Sequence, residues 1–487
     1  YKIFPLLRGH QIKICKSIDS FKVVNNRNRN KYLEDFLLNI IILGAGNTGS
    51  YLAGLLSTER HNITVIDKDS EKLEKLSEEF DVSVFAGNAN DLTTLEKAGL
   101  KSADMLIAVT DVDEINIVVC FIADKLKVKT KIARVKSLSY YNKSLVSMEE
   151  LGVDHMLNPE EEVANDIYNL IEFPAAFEIT SFADGSFMHK GYNVDETSKL
   201  KGMTIKDIAM SITVFSECII TMIIRDGKVI IPGGDDKIFE GDKVYLVTQA
   251  SVFHKIAPYF NNNYQPINKI FIVGANNVSS FFIKKILKKR KNIDITVFDK
   301  EKKDCEELGK KHKEVKIVNA SPTSEYNELV KEGIDEVDAF IAVSEIQDIN
   351  ILSAMIAKKA NVRKTIVGVL RPDIFPFYDA TSIDSIVSPS VSMTRRILKY
   401  VRRGNLFGET PLANKRAEML EYKVTKKCKI LNKPIKDAKL PHHTIIAYII
   451  RDNKIIVPSG DNIIRQGDRL FIFSITGSGK TLKKIFD

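Results

Sequence analysis

The chain of 487 residues has few cysteines, no paired cysteine motif and no long apolar run. Its five cysteines are scattered and never spaced as C-x-x-C, which argues against a disulfide framework or a zinc site and favours a reducing cytosol. The pair His442-His443 is a poor metal chelate if it lies on a strand, since strand neighbours point to opposite faces. No apolar run reaches the about 18 residues that a membrane span needs, so a function at a membrane would require docking.

Signatures of catalysis and of nucleic-acid recognition are also lacking. No G-x-S-x-G, H-E-x-x-H or comparable nucleophile–base pattern occurs. The run from Gly477 to Thr481 resembles a P-loop, but Ser474 stands where that motif needs Gly, and we interpret the run as a chance match. The net charge of +8 predicts a solvated surface, with attraction to an anionic membrane face or an acidic partner as the alternative. Without a reader motif, we expect no binding of nucleic acid.

Residues 1–38 differ in composition from the rest of the chain. They are rich in Asn, Lys and Arg, and they lack the small-residue cleavage site of a signal peptide. We expect them to form a disordered extension, to which the sequence assigns no function.

The rest of the chain is built twice. A glycine loop at 44–49 returns at 274–279, an offset of 230 (274 − 44), and the runs 63–68 and 103–110 return at 295–300 and 337–344. A second, different pattern at 225–232 and 240–244 returns at 451–458 and 466–470. Two modules therefore alternate in the order N1–C1–N2–C2.

The hydrophobic patterns predict the fold of each module. In N1, short apolar runs predict strands at 40–43, 63–66, 82–85, 105–109 and 132–135, and amphipathic runs predict helices at 70–79, 91–98 and 114–126. This alternation predicts an α/β fold with a doubly wound parallel sheet, the Rossmann-like fold. In C1, strand runs at 218–225, 228–231 and 243–247 are joined by tight turns, which predicts a small α+β lobe.

These patterns also place the domain boundaries. We expect N1 at 39–160, C1 at 174–258, N2 at 268–390 and C2 at 412–487. Turn residues cluster near 172–174, 261–263 and 404–405, where we expect linkers.

The N1 loop carries the fingerprint of dinucleotide binding. It reads Gly44, Ala45, Gly46, Asn47, Thr48, Gly49. Because the loop joins a strand to a helix, Gly44 permits the sharp turn, Gly46 lets the backbone approach a pyrophosphate, and Gly49 lets the helix pack on the strand. The helix N-terminus then offers N–H groups and its positive dipole end to phosphates. The alternative is a Rossmann-like domain that has lost its ligand.

Asp67 ends the second strand of N1, 23 residues (67 − 44) after the first glycine, where a carboxylate meets ribose hydroxyls. A carboxylate accepts a hydrogen bond from a 2′-OH and repels a 2′-phosphate, which favours NAD(H) over NADP(H). The neighbouring Lys68 argues the other way. Asp67 does not separate NAD(H) from ATP or ADP, because the adenosine ribose is the same.

The N2 loop is degraded. It reads Gly274, Ala275, Asn276, Asn277, Val278, Ser279. A side chain at Asn276, in place of the middle glycine, would crowd the phosphates, although Asp299 retains the ribose carboxylate. Two interpretations of N2 stay open: a site for a dinucleotide or another nucleotide, or a structural copy without a ligand.

Two runs of N1 carry a family resemblance. They are Ala108-Val109-Thr110-Asp111-Val112-Asp113-Glu114-Ile115-Asn116 and Ile132-Ala133-Arg134-Val135. With the duplicated N–C–N–C order, they make the chain from Asn39 to its C-terminus resemble the KTN/RCK family, the ligand-gated regulatory domains of potassium channels and transporters.

The resemblance implies a set of nucleotide-binding residues in N1. They are Gly44, Ala45, Gly46, Asn47 and Thr48 in the phosphate loop, Asp67 at the ribose, Asn88 near the adenosine, Thr110 and Asp111 along the nucleotide, and Arg134 in the cleft. A guanidinium at Arg134 suits a diphosphate, and the alternative for this residue is a surface ion pair. In N2 the corresponding residues are Gly274, Ala275, Asn276, Asn277, Val278 and Asp299. Gly368 stands at the place of Arg134, which weakens the second site.

The resemblance also implies a function without catalysis. The chain would be a cytoplasmic regulatory subunit in which NADH, NAD, ATP or ADP stabilise different orientations of the lobes. It would form homo-oligomers and dock on the inner face of the membrane on an integral-membrane potassium transporter subunit of the TrkH or TrkG type, with the C lobes serving assembly or a second ligand.

Two alternatives remain for the function. One is a regulator of a different channel or antiporter. The other is an NAD-dependent dehydrogenase, which needs an acid–base group beside the nicotinamide. The small C lobes are a poor source of such a group.

Overall fold

The computed structural model describes residues 38–487 except 60, 142–146, 183–186, 262–264, 372–380, 402–408, 413–416, 453, 476–481, 483–484 and 487. The expected extension, apart from Leu38, and the run that resembles a P-loop lie outside the described residues. Among the described helices, none is both long and apolar enough to cross a membrane.

A parallel sheet forms the centre of N1. Its strands are β1 (Asn39–Leu43), β2 (Asn62–Asp67), β3 (Ser83–Ala86), β4 (Met105–Ala108), β5 (Thr130–Arg134) and β6 (His155–Leu157). The helices are α1 (Asn47–Leu56), α2 (Ser70–Glu79), α3 (Leu92–Lys97), α4 (Asp113–Lys125) and α5 (Pro159–Glu172). The strand order β3-β2-β1-β4-β5-β6 confirms the predicted doubly wound fold. The sequence pattern did not predict β6 or α5.

An antiparallel sheet forms C1. Its strands are β7 (Ala176–Phe182), β8 (Phe187–Asn193), β9 (Ile219–Arg225), β10 (Lys228–Ile230) and β11 (Lys243–Gln249), and its helices are α6 (Ile205–Ser211) and α7 (Phe253–Phe260). The strand order is β10-β9-β11-β8-β7. Asp226 and Gly227 join β9 to β10 with φ angles of +50° and +73°, the left-handed pair that a two-residue hairpin requires. The predicted tight turn is confirmed.

N2 repeats the parallel sheet. Its strands are β12 (Lys269–Val273), β13 (Asp294–Asp299), β14 (Lys316–Asn319), β15 (Ala339–Ala342), β16 (Lys364–Gly368) and β17 (Ser385–Val387). Its helices are α8 (Asn277–Lys289), α9 (Lys302–Lys311), α10 (Tyr326–Lys331), α11 (Gln347–Lys359) and α12 (Pro389–Val401). The strand order is β14-β13-β12-β15-β16-β17, the same as in N1.

C2 repeats the antiparallel lobe. Its strands are β18 (Glu409–Leu412), β19 (Ala417–Lys423), β20 (Thr444–Arg451), β21 (Lys454–Ile456) and β22 (Arg469–Ile475), in the order β18-β19-β22-β20-β21. The small β-rich lobes predicted from the sequence are therefore confirmed.

An arginine–aspartate pair explains the motif that the two C lobes share. In C1, Nε of Arg225 donates to Oδ1 of Asp242 at 2.7 Å, and a terminal nitrogen donates to Oδ2 at 2.7 Å. In C2, Arg451 and Asp468 form the same two bonds at 2.8 Å. Both aspartates are buried, so this bidentate pair satisfies a charge that would be costly alone.

The two Rossmann halves exchange their closing helices. Helix α5, from N1, packs on α8 of N2, and its Val163 and Ile167 share one buried cluster with Ile270 and Ile283. Helix α12, from N2, packs on α1, where Ile397 joins the buried cluster of the N1 sheet. Each half therefore completes the other half's core.

Half-buried polar contacts join the two exchanged helices. A terminal nitrogen of Arg395 lies 3.1 Å and 3.2 Å from the carboxylate oxygens of Asp166, and the hydroxyl of Ser392 donates to the same carboxylate at 2.6 Å. The Asp166 carboxylate raises the pKa of Arg395 above its usual value. The position of α5 is thus tied to that of α12.

The two C-lobe sheets share a buried cluster, in which Met222 and Tyr245 of C1 meet Met419 and Phe473 of C2. His189, on β8, lies at this contact, stacked on Tyr245 with ring centroids 5.2 Å apart. Its Nε2 lies 2.9 Å from the hydroxyl of Thr221. Burial lowers the pKa of His189 to about 3, so the ring is neutral in the folded protein.

Acid should therefore destabilise the protein through His189. Because its folded-state pKa lies below the unfolded value of about 6.5, the unfolded state binds the extra proton, and stability is lost as the pH falls from about 6.5 towards 3. Between pH 7.5 and pH 5, urea unfolding should show that His189→Gln loses about 2 kcal/mol less than the parent chain. The control is His442→Gln at an exposed histidine. Equal losses in His189→Gln and the parent would contradict the assignment.

Candidate nucleotide site

The candidate site lies at the carboxyl edge of the N1 sheet. The loop Gly44–Thr48 follows β1, and Asp67, Asn88, Thr110-Asp111 and Arg134 stand at or just after the ends of the next strands in the chain. Strands β1 and β4 are neighbours from which the sheet is wound in opposite directions. Such a switch point leaves a crevice in which open α/β sheets bind ligands.

Two glycines of the N1 loop are required by close backbone approach. Gly44 has a φ of +102°, and a Cβ there would lie 3.1 Å from the backbone nitrogen of Thr110. A Cβ on Gly49 would lie 1.8 Å from the carbonyl oxygen of Gly44. Helix α1 therefore packs on the loop at a distance that excludes any side chain at position 49.

Gly46 has a different surrounding. It is exposed, and a Cβ on it would meet no atom of the described protein within 4 Å. Gly46 is also the N-cap of α1, and as a glycine it has no side chain that could cap the first turn of this helix. The N-terminus of α1 thus has no cap from its own N-cap residue and is open in front of Gly46 among the described residues, an arrangement that suits a phosphate.

Asp67 connects the loop to the second strand. Its Oδ2 accepts a hydrogen bond from the backbone N–H of Ala45 at 2.5 Å, and its Oδ1 accepts one from Asp69 at 3.0 Å. The half-buried carboxylate therefore fixes the loop, and its remaining lone pairs are available to hydroxyl donors.

Asn116, on α4, organises the end of β4. Its Oδ1 accepts from the backbone N–H and the hydroxyl of Thr110 at 3.0 Å and 2.7 Å. Its Nδ2 donates to the carbonyl oxygens of Thr110 and Arg134 at 3.0 Å and 2.9 Å. Asn116 is fully buried, so this one amide sets the positions of two predicted site residues.

Arg134 lies beneath the Thr110-Asp111 turn. Its guanidinium donates to the carbonyl oxygen of Thr110 at 2.5 Å and lies 3.2 Å from Oδ1 of Asp111. The side chain of Arg134 is 10% exposed and that of Asp111 is 95% exposed. This ion pair therefore does not join two surface side chains. The largely buried guanidinium supports the Thr110-Asp111 turn from inside the domain.

Asn88 is exposed in the turn after β3. Its carbonyl oxygen accepts a hydrogen bond from Asp91 at 3.1 Å, and this turn leads into α3. The structure thus brings Asn88 to the same sheet edge as Asp67.

N2 copies the scaffold of the site. Gly274 has a φ of +112°, and the backbone N–H of Ala275 donates to Asp299 at 2.7 Å. Asn350 repeats the role of Asn116, since its Oδ1 accepts from the backbone N–H and the hydroxyl of Ser344 at 2.8 Å and 2.7 Å. At the place of Arg134, Gly368 provides only a carbonyl oxygen to Asn350.

The phosphate position differs between the two copies. Oδ1 of Asn276 accepts from the backbone N–H of Ser279 at 3.2 Å and caps α8, while its Nδ2 donates to Val343 at 2.6 Å. The hydroxyl of Ser279 donates to the carbonyl oxygen of Gly274 at 2.5 Å. Val278 packs half-buried against the N2 core. The degraded loop is therefore well packed, with its helix N-terminus capped by its own side chain.

Each loop also faces the other Rossmann half. Nδ2 of Asn47 lies 3.4 Å from the carbonyl oxygen of Leu370, which follows β16 of N2. Nδ2 of Asn277 donates at 3.0 Å to the carboxylate of Glu160, in the first turn of α5 of N1. Both glycine loops thus lie at the seam between the halves.

The adjacent histidines lie in a turn and not on a strand. His442-His443 lies in a turn before β20, where His443 has a φ of +59°, so the expectation that the pair is on a strand is wrong. Across the part of the chain that the structure describes, no group of three His, Cys, Asp or Glu side chains could hold a metal ion.

Comparison with known families matches most of the chain. The TrkA-N domain matches residues 40–159 and 270–389, and the TrkA-C domain matches residues 191–261 and 419–487. The chain belongs to the TrkA family. Membership makes it a component of potassium transport and not an enzyme.

Relatives match the TrkA-like chain along its length. Trk system potassium uptake protein TrkA homolog 1 of Methanosarcina mazei is 30% identical over 454 residues, which cover 92% of this chain and 99% of the relative. Trk system potassium uptake protein TrkA of Vibrio alginolyticus is 29% identical over 444 residues, which cover 90% and 96%.

Solved structures show the same fold. The crystal structure of the GsuK RCK domain aligns with a TM-score of 0.55 and 17% identity over 93% of this chain and 96% of that one. The GsuK channel bound to NAD aligns with a TM-score of 0.57 and 17% identity over 93% and 79%. At these identities the likeness concerns the fold alone.

Sequence reasoning missed Asn116 and Asn350 as residues that shape the site. The duplication holds the signal, because each asparagine lies six residues after Thr110 or Ser344 (116 − 110 and 350 − 344). A polar side chain that keeps this spacing in both copies, on a buried helix face, indicates a shared hydrogen-bond role.

Gly49 and Gly46 of the N1 loop should differ in how much an added methyl group destabilises the protein. Gly49→Ala should lower the free energy of unfolding by about 3 kcal/mol, since the new Cβ would overlap the carbonyl oxygen of Gly44. Gly46→Ala should change it by less than about 1 kcal/mol, because its Cβ enters open space. Urea unfolding of both variants measures this difference, and equal losses would contradict the loop geometry.

Proposed function

We propose that this protein is a nucleotide-sensing regulatory subunit that docks on a membrane potassium transporter and controls potassium uptake. The observation that carries the proposal is the open N1 phosphate loop beside Asp67, at the seam between two Rossmann halves. A ligand bound there would contact helix α1, on which α12 of the other half packs. In this view the nucleotide is a signal and not a reactant.

The residues at the N1 edge fit a nucleotide. The uncapped N-terminus of α1 and the empty space before Gly46 would receive the diphosphate. Asp67 would accept hydrogen bonds from the ribose hydroxyls, Asn88 would lie near the adenosine, and Thr110-Asp111 would line the nucleotide. Arg134 would act mainly by positioning that turn, as its contact with Thr110 indicates.

NAD(H) is the ligand that this chemistry favours. The Asp67 carboxylate suits a free 2′-OH and opposes a 2′-phosphate. ATP and ADP present the same ribose and remain candidate ligands of the same site. One solved structure with this fold is a channel bound to NAD.

The exchanged helices provide a route from ligand to lobe movement. Helix α12 lies on α1, whose N-terminus would hold the phosphates, and α12 is tied to α5 through Arg395 and Asp166. A nucleotide changes the population of lobe orientations only by binding one of them more tightly. NADH, NAD and the adenine nucleotides would therefore act through their different contacts at this seam.

Assembly follows from two matching apolar faces. They consist of Val112, Val118 and Phe121 at α4, and Ile346, Leu352 and Met355 at α11. All six are between 42% and 52% exposed, and the second set lies 234 positions (346 − 112) after the first. Exposed apolar patches of this kind mark interfaces, and their duplication supports a homo-oligomer.

The partner is an integral-membrane potassium transporter subunit of the TrkH or TrkG type. The relatives are named Trk system potassium uptake proteins, which supports this choice. The chain would lie on the inner face of the cell membrane, with 39–160 and 268–390 as nucleotide-facing domains and 174–258 and 412–487 as C lobes. Residues 1–38 would be an extension outside these domains.

Titration calorimetry of NADH, NAD, ATP and ADP into the full chain tests the proposal. The parent chain should bind NADH or NAD, and Asp67→Ala should weaken binding at least about tenfold, because ribose hydroxyls lose a charged acceptor. Asp67→Asn separates the loss of the carboxylate charge from the loss of support for the loop, since the amide oxygen can still accept the hydrogen bond from the backbone N–H of Ala45.

Asp81→Ala, at an exposed carboxylate that precedes β3 at the opposite end of the sheet from the site, is the control and should bind as the parent does. Absence of binding in the parent, or parental affinity in Asp67→Ala, would refute the assigned site.

A further inference from the structure

The two phosphate loops present opposite situations to an anion. The N-cap residue of α1 is Gly46, which has no side chain to cap the helix, whereas α8 is capped by the side chain of its N-cap residue Asn276. The Asn276 amide uses its oxygen for Ser279 and its nitrogen for Val343, so its two ends are both engaged within N2. A pyrophosphate at α8 would have to displace this side chain.

The helices that face the two loops also differ. Helix α5, which faces the N2 loop, has Glu160, Glu161 and Glu162 in its first turn. Helix α12, which faces the N1 loop, has no acidic residue in its first turn. Ser390 stands where the repeat offset of 230 places the counterpart of Glu160 (390 − 160).

Glu160 reaches the N2 loop directly. Its carboxylate accepts the hydrogen bond from Asn277, the first residue of α8, at 3.0 Å. An anion already lies beside the positive end of the α8 dipole, where a phosphate would otherwise be stabilised. A bound nucleotide would add its negative charges next to this carboxylate.

Charges further along the helices reinforce the contrast. On the N2 side, burial lowers the pKa of Lys285 on α8, and the nearby Glu162, Glu161 and Asp166 oppose that effect. On the N1 side, burial raises the pKa of Tyr51 on α1, and the nearby Arg395 opposes that effect. Three carboxylates of α5 thus lie near Lys285, together with Lys289, whereas Tyr51 has both Arg395 of the facing helix and Glu178 near it.

We propose that Glu160 and Asn276 decide which phosphate loop takes the nucleotide. They occupy the anion position of N2 with the chain's own carboxylate and amide, so that each chain binds one nucleotide, at the N1 loop. The part that concerns N1 rests on the function proposed above, whereas the closure of N2 stands on its own contacts.

The closure has a mechanical consequence. The Asn277–Glu160 bond holds the start of α5 on α8 without any ligand. The corresponding contact at N1, from Asn47 to the Leu370 carbonyl, is longer at 3.4 Å and involves no charge. N2 is then a constant support, and the N1 seam is the one that responds to nucleotide.

Calorimetric stoichiometry with NADH, on the full chain, tests this inference. The parent should bind one equivalent. The double variant Glu160→Gln with Asn276→Gly removes the carboxylate charge and restores the middle glycine, and it should bind a second, weaker equivalent. Adding Asp299→Ala to the double variant should abolish that second equivalent and leave the first.

Glu161→Gln is the matched control for charge, because Glu161 lies in the same turn and is exposed. Combined with Asn276→Gly, it leaves the Glu160 carboxylate at α8, and its second equivalent should be at least tenfold weaker than that of the Glu160 variant. Circular dichroism and thermal unfolding check that each variant is folded.

Two results would overturn the inference. One is a second equivalent in the parent, or an equivalent that Asp67→Ala binds at the parental affinity, since that nucleotide would be bound at N2. The other is a folded double variant that gains no equivalent. If the double variant does not fold, the stoichiometries of the parent and of Asp67→Ala still decide the matter. A parent that binds nothing refutes the proposed function instead, and the double variant alone then tests N2.

Discussion

Helix α5 leaves the first Rossmann half to cover the second, and α12 returns from the second half to cover the first. The apolar side chains that cross in this way, among them Ile167 and Ile397, are fully buried, and each such burial contributes about 2 kcal/mol. Neither Rossmann sheet has a complete core without the other. The position of each half is therefore set by the same hydrophobic contacts that stabilise it.

The candidate site depends on this exchange. A Rossmann loop alone would be open to solvent, but here the phosphate loops lie at the seam that the exchanged helices create. Asn47 contacts Leu370, and Asn277 contacts Glu160, so each loop touches the other half of the duplicated chain. The ion pair between Asp166 and Arg395 couples the two exchanged helices inside the seam. Binding of a ligand at one loop would therefore affect the positions of both halves.

The duplication preserved geometry more strictly than chemistry. Gly44 and Gly274, Asp67 and Asp299, and Asn116 and Asn350 keep the same conformations and hydrogen bonds in the two copies. These contacts support the end of each sheet, so their loss would cost stability whether or not a ligand binds. The middle loop position, where a phosphate would lie, diverged from Gly46 to Asn276, since the shared scaffold contacts do not constrain it.

The sequence by itself determined the duplicated order, the doubly wound sheets, the hairpin at Asp226-Gly227 and the glycine loop with its acid at Asp67. These are local or periodic features, which follow from the spacing of hydrophobic residues and from glycines that adopt positive φ angles. Only the tertiary structure decided that α5 and α12 are exchanged, that Asn116 holds the Thr110 turn, that Arg134 lies beneath it, and that Glu160 meets Asn277. Such contacts join distant residues, 117 positions apart for Glu160 and Asn277 and 229 for Asp166 and Arg395, and their pairing depends on how whole sheets and helices pack. No local pattern in the chain encodes that packing.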